Sequence, residues 1–255
     1  MNSYLNSLKY KRIGVSLPLR FFFGRYPLLF YSLYGLVPKN RILSVKKNTE
    51  LVIEGFPRSA NTFAVSAFRK AQPIKLRIAH HMHVPAQIIR AVRWKIPTIV
   101  LIRHPKDAVV SLVMYDPQIS ITQALKCYIS FYQAISFCQS GYIIASFEEA
   151  INNYSKIIQR TNYKFNTEFS DRPLSDTEQE GVFREIESVG KIEATRQRKT
   201  ECSELNVARP SFTRVHLKQE LLQKLNLPQN REILKAAEKI YSEFVCNSAL
   251  ICDRP

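Results

Sequence analysis

Thr98-Ile-Val-Leu-Ile102 runs directly into Arg103-His-Pro-Lys-Asp107, and the fold follows from this stretch. Five consecutive β-branched or leucine residues, with no polar alternation, suit a strand buried on both faces, as in a parallel sheet. Pro105 starts a turn after the strand, and Asp107 to Met114 reads as the following helix, which Asp107 can cap. Arg103 is thereby left at the carboxyl end of a strand, where ligands of open parallel sheets bind. An arginine there is placed for two-pronged phosphate binding, although a solvated strand-end arginine has the same local sequence.

Upstream, Leu51-Val-Ile-Glu-Gly-Phe56 is a second short β-branched run, closed by Pro57. Asn61 to Ala71 has helical character and ends before Pro73. Between them, Gly55-Phe-Pro-Arg-Ser-Ala-Asn-Thr-Phe63 forms a strand–loop–helix turn. Such a turn aims backbone N–H groups and a positive helix end at one point, which suits an anion. Arg58 adds a permanent charge, and Ser59, Asn61 and Thr62 add side-chain donors. A polar turn capped by Ser59 or Asn61 accounts for the same residues. The Gly-x-x-x-x-Gly-Lys-[Ser/Thr] loop of nucleotide triphosphatases is absent.

The remaining pattern extends the alternation. Ile74 to His83 reads as extended, Ala86 to Trp94 as helical, Ile121 to Gln139 as helical and Tyr142 to Phe147 as a strand. Glu148 to Arg160 reads as one helix, and Asn166 to Thr177 as a loop. Phe183–Val189, Leu217–Leu225 and Arg231–Phe244 are the best helical segments thereafter. Strands alternating with helices predict an α/β fold: a single domain over 50–255, built on a parallel β-sheet flanked by helices. Residues 1–49 precede it as a basic, aromatic-rich leader.

Of the 255 residues, 37 are Lys or Arg and 21 Asp or Glu, for a net charge of +16. Nearly all of the excess lies in the first hundred residues, where Glu50 and Glu54 are the only acids. That asymmetry favours an anionic partner such as a phosphorylated cofactor, an acidic glycan or a membrane surface. The five cysteines form no Cys-x-x-Cys pair, which fits buried thiols in a reducing, cytoplasmic setting rather than a disulfide framework. Phe21 to Val37 is interrupted by Arg25 and Pro27 and is short of the ~20 apolar residues a membrane span needs. Two readings of the leader stay open. It packs on the domain as a helix, or it lies peripherally on an anionic membrane. In the second case Arg20 and Arg25 meet headgroups while Phe21, Phe22, Phe23, Leu28, Leu29 and Phe30 sit at the acyl boundary.

Taken together, the two strand-end segments resemble the donor-binding signatures of the sulfotransferase family, whose donor is 3′-phosphoadenosine 5′-phosphosulfate (PAPS). Pro57-Arg-Ser-Ala-Asn-Thr62 resembles that family's P-loop-like phosphosulfate-binding loop. Arg103, Pro105, Asp107 and Ser111 resemble its 3′-phosphate element, an arginine with a serine eight positions later. The resemblance implies that Arg58, Ser59, Ala60, Asn61, Thr62 and Phe63 hold the phosphosulfate, with Arg58 also catalytic, and that Arg103 and Ser111 hold the 3′-phosphate. It implies a sulfuryl transfer without a metal, onto a hydroxyl or amine of a glycan, lipid or small molecule. Nucleic acid is not an expected partner. Many members carry lysine at the position of Arg58, and the family loop usually has glycine where Ala60 stands.

His80-His-Met-His-Val-Pro85 lies between these segments. In an extended strand, His81 and His83 share one face and His80 takes the other. No Glu, Asp or Cys stands nearby in sequence to complete a zinc site. His83-Val-Pro85 resembles the segment that supplies the catalytic base in soluble sulfotransferases, with His81 the second candidate. Tyr142-Ile-Ile-Ala-Ser-Phe-Glu-Glu149 resembles a further family strand and turn, and beyond Arg160 the resemblance fades. Arg209, Ser211 and Arg214, or Arg196-Gln-Arg-Lys199, are candidates to complete the 3′-phosphate pocket, although a solvated basic face is the better account of the run. A small-molecule kinase of related fold lacks its lysine-bearing loop here. A non-catalytic polyanion-binding protein would account for the charge but not for both matched segments.

Overall fold

A computed structural model of the chain describes residues 17–34, 42–196 and 212–252. Four strands form one sheet: β1 (Leu51–Gly55), β2 (Ile78–His80), β3 (Thr98–Ile102) and β4 (Ile143–Ser146). Their order is β2-β1-β3-β4, and every pairing is parallel. Around it lie α1 (Leu17–Phe23), α2 (Pro27–Tyr34), α3 (Asn61–Ala71), α4 (Pro85–Arg93), α5 (Pro105–Tyr115) and α6 (Ile121–Ser136). After β4 come α7 (Phe147–Asn152), α8 (Tyr154–Phe165), α9 (Asp176–Arg196), α10 (Phe212–Leu225) and α11 (Pro228–Cys252). The architecture is the expected single α/β domain.

Strand pleating explains why the apolar runs have no polar face. Ile99 and Leu101 of β3 join Leu51, Ile53, Ile143 and Ala145 in a core that contains Phe63, Val65 and Phe68 of α3 and Ile157 and Ile158 of α8. Val100 and Ile102 point the other way, into a core with Val109 and Val113 of α5, Phe131 and Ile135 of α6, and Phe244 of α11. Helices on both faces leave no solvent for either side of β3, so the sequence alternates only in direction and not in polarity.

Three details differ from the sequence expectations. The extended run expected over Ile74–His83 narrows to the three residues of β2, because His81 and His83 both adopt left-handed backbone, with φ of 57° and 50°. The helix expected over Glu148–Arg160 is two helices, broken where Asn153 takes φ −150°. Asp107 does not cap α5: the N-cap is His104, without a side-chain bond, and the Asp107 carboxylate instead meets Lys218 of α10 at 3.1 Å.

The leader packs on the domain over the residues described. Phe21 and Phe30 are each only 1% exposed. Phe21 stacks on Phe56, with ring centroids 5.8 Å apart, and meets Phe131 edge-on. Arg20 donates to the Met82 carbonyl, and Arg25 donates to Ser130 Oγ at 2.8 Å. So Phe21, Phe30 and Arg20 belong to the protein's own packing rather than to a lipid contact, because core aromatic surface and a buried carbonyl compete for them more closely. Among the described residues no helix is long and apolar enough to cross a membrane. Cys127, Cys138 and Cys246 are free thiols. Arg209, Ser211 and residues 197–199 lie outside the described residues.

Candidate functional site

β1 and β3 pair side by side, with Gly55 opposite Leu101, so the loops that leave them start from one place. The approach is close enough to require glycine. A Cβ at Gly55 would lie 2.5 Å from the Leu101 carbonyl oxygen and 3.0 Å from the Leu101 Cβ.

The loop from Phe56 to Ala60 carries two left-handed residues, Arg58 (φ 70°) and Ala60 (φ 67°). A residue with a Cβ resists this conformation, and each instance costs about 1–3 kcal/mol unless neighbours impose it. The surrounding bonds do impose it. Asn61 Nδ2 donates to the Phe56 carbonyl at 3.1 Å, Arg103 Nη1 donates to the Arg58 carbonyl at 3.2 Å, and the Ala64 N–H donates to the Ala60 carbonyl at 2.9 Å. Ala60 is the N-cap of α3, with no side-chain cap, so neither Ser59 nor Asn61 caps this helix. Both are buried, at 0% and 4% exposure. Asn61 braces the loop from within through its bond to Phe56, whereas Arg58 and Thr62 are half-buried at its rim. Phe63 is buried against Phe183, with centroids 5.3 Å apart.

The two segments singled out in the sequence meet here. Arg58 Nε donates to Ser111 Oγ at 3.0 Å, and its guanidinium lies 5.3 Å from the centre of the Tyr115 ring. Arg103 lies 3.9 Å over the Phe147 ring, just beyond the end of β4. The Arg103 carbonyl accepts from the Tyr128 hydroxyl at 2.8 Å, and the Leu101 carbonyl from the Tyr132 hydroxyl at 2.9 Å. Two tyrosines one turn apart on α6 thus hold the end of β3. Sequence reading did not single them out, because their spacing is that of any core-facing helix stripe.

The three histidines gather beside this loop. Arg69 has only donors, so its Nη2, 3.1 Å from His80 Nε2, makes that nitrogen the acceptor. His80 then carries its proton on Nδ1 and donates to His81 Nδ1 at 2.7 Å. His81 in turn carries its proton on Nε2 and donates to Thr62 Oγ1 at 3.0 Å. Burial, then His81 and Arg69, holds the His80 pKa well below the usual range, which keeps its ring neutral. His83, in edge-on contact with His81, is held by a different bond. Its Nδ1 donates to the Gly55 carbonyl at 2.9 Å, since a carbonyl can only accept, and the neutral ring then has its lone pair on Nε2.

Glu54 is the residue that sequence reasoning missed. No carboxylate stands near the histidines in sequence, yet the fold brings this one against them. Glu54 is fully buried, and its Oε2 accepts from the Met82 N–H at 2.8 Å, the His83 N–H at 3.0 Å and Gln87 Nε2 at 3.1 Å. Its Oε1 lies 3.8 Å from His83 Nδ1. Burial pushes its pKa up to about 8, against the backbone N–H groups of His83, Met82 and Gly55 and the charge of Arg20, which pull it down. The only hint in the sequence was an acid inside an otherwise apolar strand. Among the described residues no group of three His, Cys, Asp or Glu is placed to hold a metal ion.

No protein-family model matches the chain, and a search of curated proteins finds no relative. Among solved structures it is similar to the mouse sulfotransferase SULT7A1 complexed with PAP, over 76% of this chain and 90% of that one. The sequence identity is 12% and the TM-score 0.38, a likeness too distant to assign a reaction to this chain.

Proposed function

We propose that the protein is a sulfotransferase that takes its sulfuryl group from PAPS and transfers it to an acceptor hydroxyl or amine. The observation that carries this reading is the 3.0 Å bond between Arg58 and Ser111. It joins two segments 53 positions apart, one resembling the phosphosulfate loop and the other the 3′-phosphate element. A donor with phosphates at both the 5′ and 3′ positions needs cationic groups at two points of one cleft. Arg58 and Arg103 supply them at the ends of adjacent parallel strands, where such ligands bind, and Ser111 on α5 adds a neutral hydroxyl donor. On binding, the Arg58–Ser111 bond exchanges for contacts of both residues to the donor.

In the reaction the acceptor oxygen or nitrogen attacks sulfur in line, and the bond from sulfur to the bridging oxygen breaks. The electron pair stays on that oxygen, giving adenosine 3′,5′-bisphosphate, and Arg58 and the loop N–H groups offset the growing charge. The acceptor proton passes to His83 Nε2. The Nδ1 bond to Gly55 holds the ring in the required tautomer. His81, with both ring nitrogens engaged, orients Thr62 instead.

A thermal-shift comparison of adenosine 3′,5′-bisphosphate, ATP and heparin tests the reading. A selective rise in Tm with the bisphosphate is expected. A response to ATP alone would favour a kinase, and a response to heparin alone a polyanion-binding protein.

A further inference from the structure

We infer that α1 and α2 present an apolar face that seats on an anionic lipid surface. Leu19, Phe22, Tyr26, Leu28, Leu29 and Leu33 are 42–77% exposed, with Leu28 the highest. They make up half of the exposed large apolar side chains among the described residues, within fifteen positions. The inner side of the same helices is already satisfied by Phe21 and Phe30 in the core. A helix on a protein surface ordinarily turns polar residues outward, and one that is apolar all round needs a second apolar environment.

Charge selects that environment. Residues 1–49 contain nine Lys and Arg and no acid. A second copy of the chain would bring two such fields face to face, whereas an anionic bilayer attracts them. No helix among the described residues is long and apolar enough to span; the inferred contact is peripheral, with the apolar side chains at the acyl boundary and Lys46 and Lys47, both exposed, available to headgroups. The corner between the helices is fixed to the domain: the Ala86 N–H donates to the Gly24 carbonyl at 2.6 Å, and Arg20 to the Met82 carbonyl. The face is therefore presented by a rigid mount. It is independent of the proposed reaction.

Vesicle flotation of the full chain tests this without any assay of activity. Wild type is expected to float with phosphatidylcholine vesicles containing phosphatidylserine, and not with phosphatidylcholine alone. Leu28→Glu/Leu33→Glu, which alters only exposed positions, is expected to lower the bound fraction at least about tenfold, since each charge loses burial and meets the acidic surface. Phe22→Gln provides a second variant on the other helix, and circular dichroism checks that each remains folded. Wild type that stays unbound with both vesicle types overturns the proposal. So does a folded variant pair that floats like wild type, or equal flotation on neutral vesicles. A wild-type dimer that becomes monomeric in these variants, with no flotation, assigns the face to self-association instead.

Discussion

His81 and His83 are two positions apart, share left-handed backbone and stack edge-on with ring centroids 5.6 Å apart, yet their hydrogen bonds differ, and in the proposed reaction so does their work. His83→Ala is expected to lower kcat by roughly 10²–10⁴-fold, the usual contribution of a positioned base, while affinity for adenosine 3′,5′-bisphosphate stays near wild type. His81→Ala frees the Thr62 hydroxyl and is expected to weaken donor binding more than turnover. Steady-state kinetics with calorimetry separates the two, and a dead His81→Ala beside an active His83→Ala would reverse the assignment. Glu54 adds a pH signature. Its folded pKa, about 8, lies above the ordinary 4.5, so the folded state holds the proton more tightly than the unfolded chain. Its contribution is complete below about pH 4.5 and is lost as pH rises through about 8. His80, depressed below 6.5, acts in the opposite sense, and its contribution fades as pH falls below its unfolded value. Above pH 6.5 the Glu54 effect is therefore isolated. Between there and pH 8.5 the denaturation midpoint of wild type should fall, and that of Glu54→Gln, which keeps an acceptor oxygen, should stay flat. A parallel decline in both would assign the pH dependence elsewhere.

At the scale of elements, β1 and β3 were legible because burial on both faces removes polar residues from a strand, and α3 and α5 because each follows a strand after a short turn. β2 was only partly legible. Left-handed backbone at His81 and His83 ends it early, and nothing in a histidine's sequence neighbours announces such a φ. Of the site, Arg58, Arg103 and Ser111 were legible as a pattern of residue types at strand ends, and the structure brings them together. Glu54 was not, since its partners come from Met82, His83 and Gln87, all distant in sequence. The leader was ambiguous for a similar reason: a run of aromatic residues does not say which of them faces the core, and the fold takes Phe21 and Phe30 while leaving Phe22 outside. The loop before α3 carries a strain that the sequence hinted at, alanine standing where the resembled loop has glycine. Left-handed backbone costs an alanine about 1–2 kcal/mol, against roughly 0.4–1 kcal/mol of added chain entropy for glycine. Ala60→Gly should therefore stabilise the fold by about 0.5–1 kcal/mol, read from the midpoint of urea unfolding. A loss of stability would mean that the Ala60 methyl makes contacts worth more than its backbone strain.

Over the whole molecule, charge and architecture act together. The first hundred residues, which carry nearly all of the positive excess, contain β1, β2, β3 up to Val100, and the loop with Arg58. The later, charge-balanced half closes the cores: α6 and α11 cover one face, and α8 and α9 the other. Lys218 of α10 and Glu238 of α11 reach back to Asp107 and Lys106 of α5, at 3.1 and 3.0 Å. These contacts brace the helix that carries Ser111. The central claim is that this assembly recognises a nucleotide by its 3′-phosphate as well as its 5′ end, and calorimetric titration tests it most directly. Wild type should bind adenosine 3′,5′-bisphosphate at least about tenfold more tightly than adenosine 5′-monophosphate, and Arg103→Ala should lose about ten- to a hundredfold of the bisphosphate affinity, the worth of one charge-assisted bond of ~1.5–3 kcal/mol. Equal affinity for the two nucleotides, or an Arg103→Ala protein that binds the bisphosphate as wild type does, would contradict the account.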